Sequence, residues 1–318
     1  MNEDKKIATR ESFGKYIVEL GRLNNNIVVL DSDLSSATKT NSFAKEFPDR
    51  FFDMGIAEAD MMGTAAGLAV SGKIPFAASF AVFSTGRCYD QIRTSICYPN
   101  ANVKIIGTHS GITVGEDGAT HQMLEDINLM RALPNMHIFS PSDDISTKIV
   151  IDQALKINGP VYIRLARQAT PCIYDEVTNK NCKSIIHGNG EDITIFATGT
   201  EVYQALKAKE IIEQYDNNGR KLTCRVIDML SIKPIDEDII IECAKSTKCL
   251  VSVEDHNTIG GLGTAIADVL VEKYPTKLNK IGIKDTFTQS GKANELVKAY
   301  GLDFESIANK CINYFLDN

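Results

Sequence analysis

The sequence of 318 residues lacks several features that would assign a protein to a class at once. No apolar run approaches the roughly 18 residues that a membrane-spanning helix needs, and the amino terminus has no apolar core of a signal peptide. Acidic residues outnumber basic ones by 41 to 34, which argues against a nucleic-acid-binding face. We therefore expect a cytoplasmic protein that binds neither membrane nor nucleic acid.

Metal and phosphate motifs are also missing. The eight cysteines are scattered, with no pair at the spacing of a metal site or a redox site, so we expect reduced thiols and no metal ligands. There is no GxxxxGK[ST] loop. Nor is there a GDG followed about 25–30 residues later by the asparagine that would complete a magnesium–diphosphate site.

What the sequence does contain is an alternation of short apolar, β-branched runs with helical patterns. Apolar strands separated by helices are typical of parallel sheets covered on both faces. The alternation pauses in the polar stretch 173–190 and then resumes. The sequence thus predicts an α/β fold of two domains, residues 1–185 and 188–318, each a mostly parallel sheet flanked by helices.

The predicted elements follow this alternation closely. Strands are predicted at 27–31, 51–54, 74–79, 103–107, 137–140, 161–165, 193–197, 224–229, 249–254 and 281–283. Helices are predicted near 8–24, 57–71, 86–97, 121–132, 143–157, 201–215, 236–244, 262–272, 292–299 and 303–316.

One connection, the segment THSGITVGEDGATHQ at 108–122, is out of proportion. Structureless connections of this length in α/β domains are uncommon and usually functional. This one follows the carboxyl end of a strand, where ligands bind in open sheets. It contains His109, Asp117 and His121. Such a set is suited to hydroxyl recognition or proton transfer, whereas spacing alone does not place three ligands around a metal ion.

Other candidates have two interpretations each. Glu58, which precedes a small apolar helix, is either a desolvated functional carboxylate or a first-turn residue that favours the helix dipole. Phe80 and Phe83 at the exit of a strand either cover the sheet or form a flat pocket for a planar ring. Arg164 and Arg167, in VYIRLAR, either bind phosphate or form salt bridges at the surface.

Three stretches resemble the pyrimidine-binding domain of transketolase: MGIAEADMMGTAAGLA, PFAASFAVFSTGRCYDQIR and GTHSGITVGEDGATHQMLEDINLMRALPNMHIFSPSD. The stretch from Asp192 to Leu270 resembles the carboxyl-terminal domain of the same family. The pair Ala57–Glu58 in the first of these stretches is shared with deoxyxylulose-phosphate synthases and with beta chains of 2-oxo-acid dehydrogenases. The GEDGATHQ loop, with His109 twelve residues before His121, is more specific.

The resemblance implies a thiamine-diphosphate-dependent enzyme that transfers a two-carbon ketol unit between sugar phosphates. Family enzymes bind the diphosphate and Mg²⁺ in an amino-terminal domain with a GDG…N motif, which this sequence lacks. The resemblance therefore implies the carboxyl-terminal subunit of a split transketolase. Its partner would be an amino-terminal subunit, in a heterotetramer of two plus two chains.

The resemblance also implies roles for the cofactor-binding residues. Glu58 matches the catalytic glutamate that hydrogen-bonds N1′ of the cofactor's aminopyrimidine, and Phe80 and Phe83 match the pocket around that ring. After Phe83 the register is one residue longer than in some relatives, and Arg87 is the nearest candidate for the third pocket residue.

The substrate-binding residues follow in the same way. His109 and His121, as catalytic residues, and Asp117 match groups that orient the hydroxyls of donor and acceptor. Arg167 matches the arginine that binds the sugar phosphate.

Three other functions stay open. Ala37 stands where the family usually offers a phosphate-binding serine, which favours a half-enzyme for an unusual sugar unless Ser36 or Thr38 substitutes. A 2-oxo-acid dehydrogenase beta chain shares the domain layout, but its chemistry does not need the polyhydroxyl contacts of the 108–122 loop. A scaffold or regulatory subunit would have no physical reason to keep Glu58 and His109 together.

Overall fold

The computed structural model describes residues 2–175 and 183–317. The strands of the first half are β1 (Asn2–Ala8), β2 (Ile27–Asp31), β3 (Phe51–Asp53), β4 (Ile74–Phe80), β5 (Lys104–Thr108), β6 (His137–Phe139), β7 (Val161–Arg164) and β8 (Ala169–Cys172). Its α-helices are α1 (Thr9–Leu23), α2 (Ser35–Thr38), α3 (Asn41–Glu46), α4 (Glu58–Val70), α5 (Tyr89–Gln91), α6 (Asp126–Arg131) and α7 (Asp144–Lys156).

The second half continues the alternation. Its strands are β9 (Ile185–His187), β10 (Ile193–Ala197), β11 (Asp216–Asn217), β12 (Arg220–Lys221), β13 (Cys224–Asp228), β14 (Ser231–Lys233), β15 (Cys249–Asn257) and β16 (Leu278–Ile283). Its helices are α8 (Glu201–Ile212), α9 (Glu237–Ser246), α10 (Leu262–Lys273), α11 (Ala293–Ala299) and α12 (Phe304–Leu316). Each strand predicted from the sequence is present, with ends displaced by no more than three residues.

Two mostly parallel sheets organise the chain. The seven-stranded sheet has the order β14-β6-β7-β5-β4-β2-β3, and only β14 runs antiparallel to its neighbour. The five-stranded sheet has the order β16-β15-β10-β13-β9, with β9 antiparallel to β13. The predicted α/β fold, with helices flanking mostly parallel sheets, is confirmed.

One short strand of the second half joins the sheet of the first half. Strand β14, from the second half, extends the first sheet, and β9, at the predicted junction, belongs to the second sheet. Residues 176–182 of the predicted polar linker lie outside the described residues. The division into 1–185 and 188–318 stays a prediction.

The core follows from the period of two along each strand. In β2, Ile27 and Val29 join one apolar cluster with Phe13 of α1, whereas Val28 and Leu30 join another cluster on the opposite face. Met61 and Met62 of α4 complete that second cluster. Because both faces are covered, the strands are apolar throughout, as parallel strands generally are.

Three predicted segments differ in the structure. The helix predicted near 121–132 begins only at Asp126, as α6. The helix predicted near 86–97 is wrong in form, since π-helical segments Val82–Arg87 and Ile92–Cys97 flank the short helix α5. A π-turn adds one residue to a helical turn, which no apolar periodicity reveals. The 108–122 connection is also not structureless, because Ile112–Asp117 forms 3₁₀ turns kinked at Gly115.

Two findings concern all of the described residues. No helix among them is long and apolar enough to cross a bilayer. The cysteines at 88, 97, 172, 224, 243, 249 and 311 are buried free thiols, and Cys182 lies outside the described part of the chain.

Lys104, at the start of β5, is a fully buried cation within this fold. Its Nζ donates to Asn102 Oδ1 and to the Ile157 carbonyl at 2.7 Å each, and to the Gly159 carbonyl at 2.9 Å. The ammonium group therefore ties the sheet to the turn that follows α7, while burial lowers its pKa to about 7.

We expect Lys104→Met to lower the free energy of unfolding by about 2–4 kcal/mol, because it leaves one buried and two partly buried acceptors without this donor. Denaturation in urea would measure the change. The exposed Lys156→Met is the control and should shift stability by less than about 0.5 kcal/mol. Equal effects of the two substitutions would contradict a structural role for the Lys104 hydrogen bonds.

Candidate active site

The candidate residues gather at the carboxyl edge of the larger sheet. Phe80 ends β4 and pairs in register with Thr108, which ends β5. His109 follows at once, and the carboxyl ends of β2 and β7 lie at the same edge because these strands are parallel. The topology thus brings side chains from distant parts of the sequence to the edge where open α/β sheets bind ligands.

Glu58 opens α4 and is 4% exposed. Its carboxylate faces Arg87, whose Nη1 lies 3.4 Å from Oε1 and 3.5 Å from Oε2. The same guanidinium lies 4.3 Å from the ring centre of Phe83. The π-helical segment Val82–Arg87 therefore brings Arg87 between a buried carboxylate and an aromatic face.

Aromatic rings line the rest of this cleft. The rings of Phe80 and Phe83 are parallel to within 9°, with centroids 5.9 Å apart, and His109 stacks on Phe80 at 3.7 Å. His121 meets Phe83 edge-on at 5.4 Å. The structure thus brings Phe80, Phe83, His109 and His121 into one contiguous surface.

The contacts of the Arg87 guanidinium indicate whether an aminopyrimidine would fit this site, because both groups are flat and would use the same neighbours. A guanidinium is flat and donates hydrogen bonds, and here it contacts the Glu58 carboxylate while lying over the Phe83 ring. A pyrimidine ring with a donor facing Glu58 would make the same two kinds of contact. The residues therefore fit the cofactor ring, provided that Arg87, which is half exposed, swings outward.

His109 is held as a neutral acceptor. It is 3% exposed and adopts a left-handed backbone conformation with φ of 56°. Arg10 Nη1 lies 3.2 Å from its Nε2, and an arginine can only donate, so Nε2 carries no proton. Nδ1 then donates to Thr108 Oγ1 at 2.9 Å, and that hydroxyl donates to the Ser79 carbonyl.

Burial and cations keep His109 neutral. Burial lowers its pKa to about 3, and the charges of Arg10, Arg167 and Lys39 act in the same direction. Arg10, Arg167 and Lys39 lie near His109 at one end of the site, which we call its mouth, and their charges favour an anionic ligand there. The contact of Arg10 with His109 was not predicted from the sequence, because Arg10 lies 99 residues before His109 and outside the recognised motifs.

Arg167 and Asp117 lie at the same mouth. Arg167 Nη1 donates to the carbonyl of Val114 and lies 3.4 Å from Asp117 Oδ2. Both side chains are more than a third exposed, so the pair is accessible to a ligand. Arg164, by contrast, forms a salt bridge with Asp126 at 2.8 Å, but the pair is buried and is not the surface salt bridge of its second interpretation.

Asp31 organises the segment that contains Ala37. Its Oδ2 accepts from the hydroxyls of Thr38 at 2.6 Å and Thr40 at 2.8 Å, and its Oδ1 accepts from the Leu34 N–H at 2.7 Å. Burial raises the pKa of this carboxyl to about 6. The Thr38 hydroxyl is thus already engaged and does not replace the serine missing at Ala37. The Ala37 carbonyl instead accepts from Arg10 at 2.7 Å.

Among the described residues, no group of three histidine, cysteine or carboxylate side chains is arranged to hold a metal ion. The chemistry available to this cleft is hydrogen bonding by Glu58 and the two histidines, stacking on aromatic faces, and attraction of an anion by arginines.

We expect His109 to make the free energy of unfolding decrease as the pH is lowered from 6.5 to about 3. In this range the imidazole is protonated in the unfolded chain but stays neutral in the folded protein. Above pH 6.5, the pKa of the imidazole in the unfolded chain, the full contribution of His109 to stability is present. The loss on His109→Gln should therefore be about 1–2 kcal/mol smaller at pH 5 than at pH 7.5. Urea unfolding of both proteins at the two pH values would measure this, and a pH-independent difference would contradict a depressed His109 pKa.

Two family models match the chain. That of the transketolase pyrimidine-binding domain matches residues 5–172, and that of the transketolase C-terminal domain matches residues 183–307.

Three relatives cover nearly the whole chain. A protein of Methanocaldococcus jannaschii named as a transketolase C-terminal section is 52% identical over 95% of this chain and 94% of its own length. The 6-deoxy-6-sulfo-D-fructose transketolase subunit SqwH of a Clostridium species is 36% identical, over 94% and 91%. A subunit of the apulose-4-phosphate transketolase of Phocaeicola vulgatus is 35% identical, over 97% of each.

A solved structure described as a split gene transketolase, inactive beta4 tetramer, has a TM-score of 0.88 at 46% identity. The match covers 98% of this chain and 99% of that one. Human transketolase is 33% identical over 95% of this chain, but the match covers only 48% of the human protein. The chain thus spans about half the length of that transketolase.

Proposed function

This chain belongs to the transketolase family, and we propose that it is the carboxyl-terminal subunit of a split, thiamine-diphosphate-dependent transketolase. The enzyme would transfer a two-carbon ketol unit from a ketose phosphate to an aldose phosphate, as in the pentose phosphate pathway. One observation carries the proposal. The Arg87 guanidinium fills a flat slot between the carboxylate of Glu58 and the ring of Phe83, and the neighbouring Phe80 and His109 lead to the charges of Arg10, Arg167 and Lys39.

The residues of the slot would hold the cofactor ring. When bound, thiamine diphosphate supplies the carbon nucleophile and the electron sink for breaking a carbon–carbon bond. The Glu58 carboxyl group would form a hydrogen bond with N1′ of the aminopyrimidine, and Phe80 and Phe83 would form the apolar walls around the ring. Because Glu58 is buried at the start of α4, its hydrogen bond is shielded from competing water.

The residues of the mouth would hold the sugar. In place of Arg10, a substrate hydroxyl would donate to Nε2 of the neutral His109, and Asp117 and His121 lie nearby for further hydroxyls. Arg167 and Arg10 supply donors and positive charge for the phosphate. Several fixed groups would hold the aldose in the orientation needed for reaction, which favours reaction with the bound aldose over reaction with water.

A partner chain is part of the proposal. The chain spans about half of human transketolase and has no sequence motif for diphosphate and Mg²⁺. We propose that an amino-terminal subunit supplies both, in a heterotetramer of two plus two chains. The inactivity named for the beta4 tetramer of the similar protein supports this arrangement. The buried free thiols support a cytoplasmic location.

The proposal is tested by assaying ketol transfer from xylulose 5-phosphate to ribose 5-phosphate with thiamine diphosphate and Mg²⁺. The chain is assayed alone and then mixed with an amino-terminal transketolase subunit. We expect activity only in the mixture. Activity of the chain alone would contradict the need for a partner, and no activity of a mixture that binds the cofactor would turn attention to other sugars.

We expect Glu58→Gln to reduce turnover of the assembled enzyme by roughly 10²–10⁴-fold, because the amide lacks the negative charge that would stabilise a proton on N1′ of the cofactor's aminopyrimidine. The matched control is Asp60→Asn, an exposed carboxylate in the same helical turn, which should leave turnover within about twofold. Circular dichroism would show that both variants are folded. Turnover of Glu58→Gln close to that of the unsubstituted enzyme would refute the assignment.

A second candidate function is ketol transfer on an unusual anionic sugar. It is favoured by Ala37, by the engagement of Thr38 with Asp31, and by two relatives named for sulfofructose and apulose phosphate. A sulfonate or a phosphate would suit the arginines of the mouth equally well. Comparing kcat/KM for phosphorylated and sulfonated ketoses would distinguish the two candidates.

We expect Ala37→Ser to lower KM for a phosphorylated ketose by roughly three- to tenfold, because a hydroxyl here would add a donor next to Arg10. Steady-state kinetics of the assembled enzyme would measure the change. Ser42→Ala removes an exposed hydroxyl from the nearby helix α3 and serves as the control. An unchanged KM in Ala37→Ser would mean that this segment does not contact the anion.

A further inference from the structure

The substrate-facing segment 108–122 is anchored in the second domain rather than resting on its own. Ile112, within the segment, is fully buried in the apolar cluster that forms the core of the second domain. Leu124, just after the segment, lies in the same cluster, as does Leu296 of α11. The segment thus reaches across the boundary between the halves.

A carboxylate of the second domain fixes the start of the segment. Asp255 in β15 accepts the N–H of Ile112 with both oxygens, at 3.0 and 3.2 Å. Gly111 has φ of 75°, and a Cβ at this position would collide with the Asp255 carboxylate. The close approach of carboxylate and backbone therefore depends on glycine.

An amide side chain fixes the end of the segment. Gln122 is 4% exposed and donates from Nε2 to the carbonyls of Ile112 at 3.3 Å and Gly115 at 3.2 Å. The same Nε2 donates to the carbonyl of Gln289 at 3.1 Å, and Oε1 accepts from the Thr288 hydroxyl. Gln122 is therefore joined to the second domain through both atoms of its amide.

The opposite side of the segment faces the proposed substrate site. Arg167 donates to the Val114 carbonyl and contacts Asp117, so these groups move with the 3₁₀ turns that Gln122 and Asp255 hold. His121 directly precedes Gln122 and meets Phe83 edge-on. A loss of anchoring beneath the segment would displace the sugar-binding groups without touching Glu58.

We propose that the second domain positions the sugar-binding segment, with Asp255 and Thr288 as positioning residues. The inference rests on the proposed function, because it assigns the segment to sugar binding. It gives the carboxyl-terminal domain a role in substrate affinity that is separate from assembly. Neither residue contacts the substrate in this account, since both act through Gln122 and Ile112.

The test compares Thr288→Val with Thr286→Val in the assembled enzyme. Valine has the shape of threonine but cannot donate to Gln122, whereas Thr286 is exposed and donates only to the carbonyl of Phe287. For Thr288→Val we expect KM for both sugars to rise roughly three- to tenfold, with kcat and cofactor affinity within about twofold. Thr286→Val should match the unsubstituted enzyme in all of these.

Hydrogen–deuterium exchange of the chain alone provides a readout besides activity. In Thr288→Val and in Asp255→Asn, we expect the amides of residues 111–122 to exchange at least roughly threefold faster, while those of β10 and β4 are unchanged. Asparagine keeps the size of Asp255 but removes its charge and one of its acceptor oxygens. Thr286→Val should leave exchange in the segment unaltered.

The outcomes separate the two proposals. Faster exchange together with the KM effect supports the inference. A lower melting temperature with unchanged KM, or faster exchange with unchanged KM, overturns it, because the contacts would then be merely structural. If the unsubstituted mixture transfers no ketol unit, the proposed function has failed, and the exchange data alone decide whether the second domain holds the segment.

Discussion

The buried ion pair between Arg164 and Asp126 holds in place the arginine that links the first half of the chain to the second. Arg164 Nε donates to Asp126 Oδ2 at 2.8 Å, and the Tyr162 hydroxyl donates to the same oxygen at 2.6 Å. A second nitrogen of Arg164 reaches the Asp255 carbonyl at 2.8 Å. Both charges are buried, so neither could lose its partner without a cost of several kcal/mol.

This pair fixes the ends of the active-site segment from below. Asp126 opens α6 shortly after the segment ends, Arg164 closes the strand next to β5, and Asp255 lies in the other sheet. The segment therefore spans fixed points on three elements. Its irregular backbone, with His109 in the left-handed region, is held by tertiary contacts because local propensity would not select it.

The strands and the compact motifs could be predicted from the sequence because their signals are local. A buried parallel strand such as β2 needs a short apolar run, and Glu58, Phe80 and Phe83 each lie at the end or start of a recognisable element. The residues of the 108–122 segment were found for a related reason, since the length of a connection is visible in the sequence.

The groups that were missed act over long sequence separations or through small irregularities. Arg10 reaches His109 only because β1 and α1 lead the chain back to the sheet edge. Thr288 lies 166 residues from Gln122, and its hydroxyl resembles any other in the sequence. The π-turn that brings Arg87 to Glu58 differs from an α-helical turn by one residue. The spacing of apolar residues in the sequence does not reveal so small a difference.

The glycine-rich stretch 257–263 shows how a motif can be excluded as a phosphate site by its partners. A helix that follows a strand and a glycine-rich turn offers free N–H groups to an anion. Here the buried Glu254 accepts from Leu262 N at 2.6 Å and Gly263 N at 2.9 Å, so the protein supplies the anion itself.

The polarity of the proposed site follows from the same matching of donors to acceptors. Glu58 is a buried acceptor at one end, and the arginines supply donors at the other, with the neutral His109 between them. A protonated His109 would add a fourth positive charge to the mouth and would lose the hydrogen bond from Arg10. The cations that suit an anionic sugar therefore also require a histidine that accepts rather than donates. Because its ring stacks on Phe80, that acceptor lies next to the aromatic rings proposed to hold the cofactor.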